Sequence, residues 1–225
     1  MKKINLFKKK LTYFYTEDEM KEYQDYIESN FGQISGIIHE LVSPDIHLDI
    51  IVIEPTPEHN FYKLITLGMG AYQMNVPKQL RNRIFDRAEL VLYLPPTWDI
   101  ISKKEEDYWP IRYLKTIARL PLYTNSWISL GHTIASNENN TPFANKTEFN
   151  SILLLNATNL KEEELGLILK SDKEINLYQI FPLYLEELEY KLENGLHSLL
   201  SQFEEEDLNP IININRRNYC KNNNE

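Results

Sequence analysis

The feature that most constrains the fold is the way strand-like segments are grouped along the chain. Runs rich in β-branched residues occur in two sets, separated by a segment with helical periodicity, and do not alternate one by one with helices. The predicted strands are residues 34–42, 46–53, 61–67, 88–94, 151–156, 165–170 and 175–180. Strands grouped in this way favour an α+β fold, in which a mostly antiparallel sheet packs against amphipathic helices.

Three segments carry apolar residues at the spacing of a helix. They are residues 17–30, 105–120 and 183–203. Thr16 and Glu19 form a capping-box signature at the start of the first helix. Pro110 is compatible with the second helix if it lies in the first turn, and Pro182 marks the start of the third.

Length and charge limit the classes of function. The 225 residues are expected to form one domain over residues 1–212, followed by a polar tail over 213–225 whose end, from Arg216, frays. The net charge of −9 argues against nucleic-acid binding and suits a cationic protein partner, although it can serve solubility alone. The acidic run of residues 204–207 has the same two interpretations.

The cysteine content, the N-terminus and the length of the apolar runs together predict the cellular location. Cys220 is the single cysteine, so the chain can form no internal disulfide. The basic N-terminus is followed by no apolar signal region, and no apolar run is long enough to cross a bilayer. These features predict a cytoplasmic protein that does not associate with membranes.

The first predicted hairpin contains the side chains best suited to bind a metal or to act as an acid and a base. If its turn centres on Pro44, His39 lies opposite Asp49, and His47 falls on the same face of the sheet. The other face, which includes Ile46 and Ile50, is more apolar and is expected to face the core. Two histidines and a carboxylate can form a metal site or an acid–base pair, or simply a cross-strand hydrogen bond.

Motifs for catalysis and cofactor binding are not found. Ser126 and Ser129 lack the glycines of a nucleophile elbow. Gly68 and Gly70 match neither a dinucleotide-binding nor a phosphate-binding loop, so they are expected to permit a turn or a close backbone approach. No cofactor is predicted.

Large apolar side chains supply candidates for a binding surface. Trp98, Trp109 and Trp127 lie next to loop or helix-start signals, where they can anchor a partner or the core. Met69 and Met74 can line an adaptable groove or fill gaps in the core.

Several blocks, in order and spacing, resemble the suppressor of fused (Sufu) family over about residues 13 to 203. The first half carries His39-Glu40-Leu41-Val42-Ser43, His47-Leu48-Asp49-Ile50, Glu54-Pro55-Thr56 and Leu64-Ile65-Thr66-Leu67-Gly68-Met69-Gly70, with Met74 and Pro77 after it. The second half carries Ala88-Glu89-Leu90-Val91-Leu92-Tyr93-Leu94-Pro95, Trp98, Trp109-Pro110-Ile111, Asn125-Ser126-Trp127, Gly131-His132-Thr133 and Tyr178-Gln179-Ile180-Phe181-Pro182-Leu183-Tyr184.

The resemblance implies a binding protein. Animal members grip a transcription factor between two lobes, whereas this chain is about one lobe long and is similar to compact bacterial members. Such relatives have been proposed to be immunity proteins that neutralise toxins.

The sequence therefore predicts a non-enzymatic domain that binds another protein, with a basic toxin domain as the expected partner. The candidate partner-binding residues are His39, His47, Asp49, Met69, Met74, Trp98, Trp109, Trp127 and His132. One alternative is a metal-dependent hydrolase centred on His39, His47 and Asp49. Another is a regulatory scaffold that captures a peptide as an added strand, which requires an exposed sheet edge.

Overall fold

The computed structural model describes residues 12–43, 45–81, 86–157, 166–204 and 208–221. The helices are α1 (Glu17–Phe31), α2 (Glu105–Thr124) and α3 (Leu185–Leu200). The strands are β1 (Gly36–Ile38), β2 (Asp49–Ile53), β3 (Tyr62–Leu67), β4 (Arg87–Leu94), β5 (Thr133–Ala135), β6 (Ser151–Asn156), β7 (Gly166–Ile168) and β8 (Glu174–Leu183).

The strands form one sheet, which confirms the predicted α+β class. Its order is β1-β2-β3-β4-β8-β6-β5, and β7 also pairs with β8. Neighbouring strands run antiparallel except β4 and β8, which are parallel at the centre of the sheet. All but the first residue of β4 are buried, as expected for a strand covered on both faces.

Helices cover both faces of this sheet. Alternate residues of β8 point to opposite sides: Tyr178 and Ile180 pack with α2, while Leu177 lies in the cluster formed with α1. Phe181 faces the same side as Leu177 and packs with α3. The molecule therefore has three layers, with α2 on one face and both α1 and α3 on the other.

The capping box predicted for α1 is confirmed. The Thr16 hydroxyl accepts a hydrogen bond from the Glu19 amide at 3.3 Å, and the Glu19 carboxylate accepts one from the Thr16 amide at 3.0 Å. At the other end, the buried amine of Lys63 donates to the carbonyl of Phe31. Both ends of α1 thus have partners for backbone groups that the helix itself leaves free.

The two predicted proline positions are wrong. Pro110 lies in the second turn of α2, where burial of Trp109 and Ile111 against the sheet offsets the missing backbone hydrogen bond. Pro182 does not start α3. It belongs to β8, opposite Ile152, because β8 extends past the predicted end of that strand.

The leucine stripe of α3 is buried only in part. Leu188 and Leu199 are buried, but Leu192, which shares their helical spacing in the predicted segment 183–203, is 66% exposed. The helix is interrupted at Gly195, whose φ of 87° is outside the helical range. Leu192 precedes this break, so the interruption does not account for its exposure.

The C-terminal segment does not fray at Arg216, contrary to the sequence prediction. The Arg216 guanidinium forms a bidentate ion pair with Glu187, with two contacts of 2.6 Å, and donates to the Pro182 carbonyl at 2.8 Å. The Glu187 side chain is fully buried and that of Arg216 is 5% exposed. Four aromatic rings surround the guanidinium at 4.9 to 5.3 Å: Phe149, Phe181, Tyr184 and Phe203.

We predict that Arg216→Met destabilises the protein by about 3–5 kcal/mol, because it leaves the Glu187 carboxylate buried without its counter-charge. Chemical denaturation measures the loss. Arg217→Met is the matched control, because Arg217 is largely exposed and lies 3.9 Å from the exposed Glu204. It should change the free energy of unfolding by less than ~0.5 kcal/mol. Equal effects of the two substitutions would contradict the structural role of Arg216.

Candidate functional site

The predicted hairpin register is confirmed. Ile37 pairs with Ile51 and Ile38 pairs with Ile50, which places the next residue, His39, opposite Asp49. Pro44, the predicted centre of the turn, lies outside the described residues. The segment between the two strands, residues 39–43 and 45–48, is called the hairpin loop below.

Both faces of β2 are buried. Ile50 and Val52 lie in the core with α2, as predicted for the more apolar face. Ile51 and Ile53, on the face that carries Asp49, pack in the cluster formed with α1. The site therefore does not extend along the strand and is confined to the hairpin loop and the first residue of β2.

Asp49 is the anchor of the hairpin loop. Asp49 is buried, with only 4% of its surface exposed. One oxygen accepts the Glu40 amide at 2.9 Å, and the other lies 2.8 Å from His39 Nδ1 and 3.5 Å from His47 Nε2. The predicted His39–His47–Asp49 group is thus assembled, and it draws both ends of the loop to one buried carboxylate.

Helix α2 supplies a second anchor. Arg119 contacts the Glu40 carboxylate at 2.5 Å and the Asp45 carboxylate at 3.0 Å. Tyr123 donates its hydroxyl to Asp45. Burial alone would raise the pKa of Asp45, but the hydrogen bonds from Tyr123, the Ile46 amide and Arg119 hold that pKa below its ordinary value.

The turn after β3 also packs against the hairpin loop. Gly68 has a φ of 121°, and a Cβ added there would lie 2.0 Å from the His47 carbonyl oxygen. A Cβ on Gly70 would lie 2.1 Å from the Tyr15 hydroxyl. The prediction that these glycines permit a turn and a close approach is confirmed.

This turn wraps around a buried carboxylate in β4, that of Glu89. It accepts hydrogen bonds from Tyr15 at 2.8 Å, Thr66 at 2.6 Å and the amides of Gly68 and Gly70 at 2.9 Å each. Burial raises the pKa of Glu89 to about 7, although the four donors act to lower it.

The hairpin loop presents apolar side chains to solvent. Leu41 is 98% exposed and Val42 is 76% exposed. Tyr123, joined to the loop through Asp45, is 62% exposed, as is Phe14, whose neighbour Tyr13 pairs with Ile46. Four of the large exposed apolar residues therefore belong to the loop or to segments bonded to it.

The other candidate residues are not part of this surface. Met69, Met74 and Trp109 are at most 3% exposed and fill the core, so their side chains cannot meet a partner of the folded domain. Trp98 is half-buried and donates its indole N–H to the Asp107 carbonyl at 2.8 Å. Trp127 and His132 lie next to β5, with their ring centroids 4.4 Å apart and their planes tilted by 54°.

Ser43 brings a hydroxyl to the histidine–aspartate group. Its oxygen lies 2.9 Å from His47 Nδ1, but its proton is donated to Glu40 at 3.0 Å. While the hydroxyl donates to Glu40, it can only accept a hydrogen bond from the imidazole. Within the described residues, no set of three or more His, Cys, Asp and Glu side chains is arranged to hold a metal ion.

Sequence reasoning missed the residues that brace the loop: Glu40, Ser43, Glu89, Arg119 and Tyr123. Arg119 and Tyr123 lie far along the chain from the hairpin and carry no local motif. Glu89 is detectable only as a charged residue in an otherwise apolar strand. Such a residue implies a buried polar partner, without identifying which one.

Comparisons with known proteins agree with this architecture. Residues 44–217 match the family model described as suppressor of fused protein. An uncharacterized protein of Ureaplasma parvum serovar 3 is 28% identical over 215 residues, covering 94% of this chain and all of that protein.

Two solved structures are similar along nearly their full length. A SUFU homologue from Neisseria gonorrhoeae superposes with a TM-score of 0.64 at 14% identity, covering 91% of this chain and 98% of the homologue. A structure described as the Sufu–Fu complex gives 0.63 at 13% identity, covering 88% and 90%. Drosophila Suppressor of Fused gives 0.50 at 12% identity, with 81% of this chain matching 45% of the fly chain.

The protein therefore has the same class of fold as these structures, a mostly antiparallel sheet covered by helices. Because the family model covers most of the sequence, the chain belongs to the suppressor of fused family. None of the helices in the described part of the chain combines the length and apolar character that a membrane crossing requires.

We predict that Glu89 makes stability fall as the pH rises. Its pKa is raised from 4.5 to about 7 in the folded state, so the folded protein binds the extra proton between these values. The free energy of unfolding therefore decreases through this window, by up to about 3 kcal/mol. Denaturation curves of wild type and Glu89→Gln, measured from pH 4.5 to 8, isolate the effect.

Gln keeps the size of the side chain but does not titrate. The difference in stability between Glu89→Gln and wild type should therefore shift in favour of Gln as the pH rises. A difference that stays constant across the window would show that the four donors keep Glu89 charged throughout.

Proposed function

We propose that this chain is a non-enzymatic protein-binding domain whose contact surface is centred on the hairpin loop. The observation that carries the proposal is the exposure of Leu41 and Val42, at 98% and 76%, side by side in the loop. Adjacent apolar side chains at a surface mark interaction sites when they form a patch. Tyr123 and Phe14, each 62% exposed, add apolar side chains on segments bonded to the loop.

The loop is held in shape before any partner arrives. Asp49 fixes His39 and the Glu40 backbone, while Arg119 fixes Glu40 and Asp45. A surface that is already ordered loses less conformational entropy on binding, which favours affinity. An ordinary flexible loop with two apolar residues would lack this advantage.

The partner proposed is a toxin that this chain neutralises by covering its surface. The net charge of −9 favours approach of a basic protein. The histidines of the loop, His39 at 68% and His47 at 42% exposure, add polar side chains close in sequence to Leu41 and Val42. An apolar centre with a polar rim is the usual anatomy of a protein interface.

The proposal of a binding rather than an enzymatic role rests on how the polar groups are used. Asp49 and Glu40 each accept more than one hydrogen bond or ion pair from the loop and α2. Groups committed to holding the loop are poorly placed to bind and transform a substrate. Stoichiometric zinc in the purified protein, lost in His47→Ala, would instead favour a metal-dependent hydrolase.

We predict that Leu41→Glu abolishes toxin neutralisation. The test expresses each neighbouring open reading frame of the native genome in an inducible host, with and without this chain. One neighbour should arrest growth, and co-expression of this chain should restore it. Leu41→Glu should fail to restore growth and should weaken binding of that partner at least tenfold, because it places a charge at the apolar centre.

Ile168→Glu is the matched control, since Ile168 is 64% exposed but lies in β7, away from the loop. It should restore growth as wild type does. Full rescue by Leu41→Glu would reject the hairpin loop as the contact surface. Absence of any toxic neighbour that this chain neutralises would reject the immunity role.

A further inference from the structure

A second surface lies at the edge of the sheet, beside β1. Strand β1 is at the end of the strand order and pairs with β2 alone among the described strands. Within the described residues, the backbone N–H and C=O groups on its other edge therefore pair with no strand. An open edge of this kind can accept one more strand.

An apolar groove runs along this edge. It has a cavity volume of 450 Å³, and its apolar lining comes from β1 and from the segment that leads into α2. Ile38, Ile100, Tyr108 and Ile111 form much of the lining. Ile101, at its rim, is 87% exposed.

Gly36 keeps the groove open. It points to the same side of the sheet as Ile38, since alternate residues of a strand share a face. A Cβ built on Gly36 would meet no atom within 4 Å, and its φ is not in the left-handed region. Neither close packing nor backbone conformation therefore requires glycine here, and the missing side chain leaves this part of the groove unfilled.

The charge of the lining indicates the chemistry of the occupant. Among the described residues that line it, only Glu54 and Lys103 are charged, and they have opposite signs. This near-neutral surface contrasts with the net charge of −9 for the whole chain. The groove is thus suited to an uncharged apolar segment and not to a basic one.

The size of the edge limits the occupant further. Strand β1 has three residues. Pairing two copies through such a short edge would bury far less than the ~1,200 Å² typical of a stable interface. A short linear segment needs only a few backbone hydrogen bonds and one or two seated side chains.

We propose that the groove beside β1 binds a short extended peptide segment of a partner protein, which pairs with β1 as an added strand and seats alternate apolar side chains between Gly36 and Ile101. This surface shares no residue with the hairpin loop and does not depend on the toxin-binding proposal. It gives the chain a second, sequence-tolerant mode of protein recognition.

The test selects a phage-displayed library of random eight-residue peptides on the full chain. Enriched peptides should carry apolar residues at alternate positions. A synthetic, fluorescein-labelled copy of the most enriched peptide then reports affinity by anisotropy. Gly36→Val should weaken its binding at least tenfold, because the new side chain fills the groove, while valine in a strand leaves the unfolding midpoint unchanged or higher.

Further variants separate strand addition from general stickiness. Ile101→Glu should weaken binding, whereas Ile168→Glu, an equivalent change in β7, should not. A copy of the peptide that is N-methylated at alternate amides keeps its side chains but cannot pair with β1, so it should not bind. Leu41→Glu should leave peptide binding unchanged, which distinguishes this surface from the hairpin loop.

Three results would overturn the proposal. The first is a selection without alternating apolar residues, and the second is equal binding of the peptide to wild type and Gly36→Val. The third is a concentration-dependent dimer in sedimentation that Gly36→Val abolishes, because a second copy would then be the occupant of the groove.

Discussion

The position of the hairpin loop depends on a carboxylate inside the sheet. Glu89, in the central strand β4, gathers donors from the segment before α1, from β3 and from the turn that follows β3. Because a buried carboxylate must be hydrogen-bonded, these segments have to be in place together. The backbone of Gly68 then lies against the His47 carbonyl. The position of the surface loop therefore depends on Glu89, which is itself fully buried.

Polar groups and apolar groups have different tasks in this molecule. Apolar side chains hold the helices on the sheet, while buried charges fix the segments that have no regular structure. Asp49 and Arg119 fix the hairpin loop, and Glu187 and Arg216 fix the C-terminal segment. In each case a buried carboxylate also accepts a backbone amide: Asp49 accepts that of Glu40, and Glu187 accepts that of Tyr219.

How well a feature could be predicted from the sequence depends on how far apart its interacting residues lie along the chain. The hairpin register could be predicted, because the alternation of side chains along each strand and the turn signal between the strands are both local in sequence. The capping box of α1 and the assembly of His39 with Asp49 are local in the same sense. The burial of Arg216 could not be predicted, since its partner is on another element and a polar tail shows no sign of it. Pro110 and Pro182 misled because tertiary packing outweighed their local preferences.

The parallel pairing at the centre of the sheet affects how the protein is made. Strand β4 cannot complete its pairing until β8 has left the ribosome, since residues 87–91 pair with residues 175–179. During synthesis the first four strands therefore present an apolar strand with an open edge for the time needed to add the rest of the chain. A nascent chain in this state is open to pairing with other strands, and its safe folding depends on how soon the last third arrives.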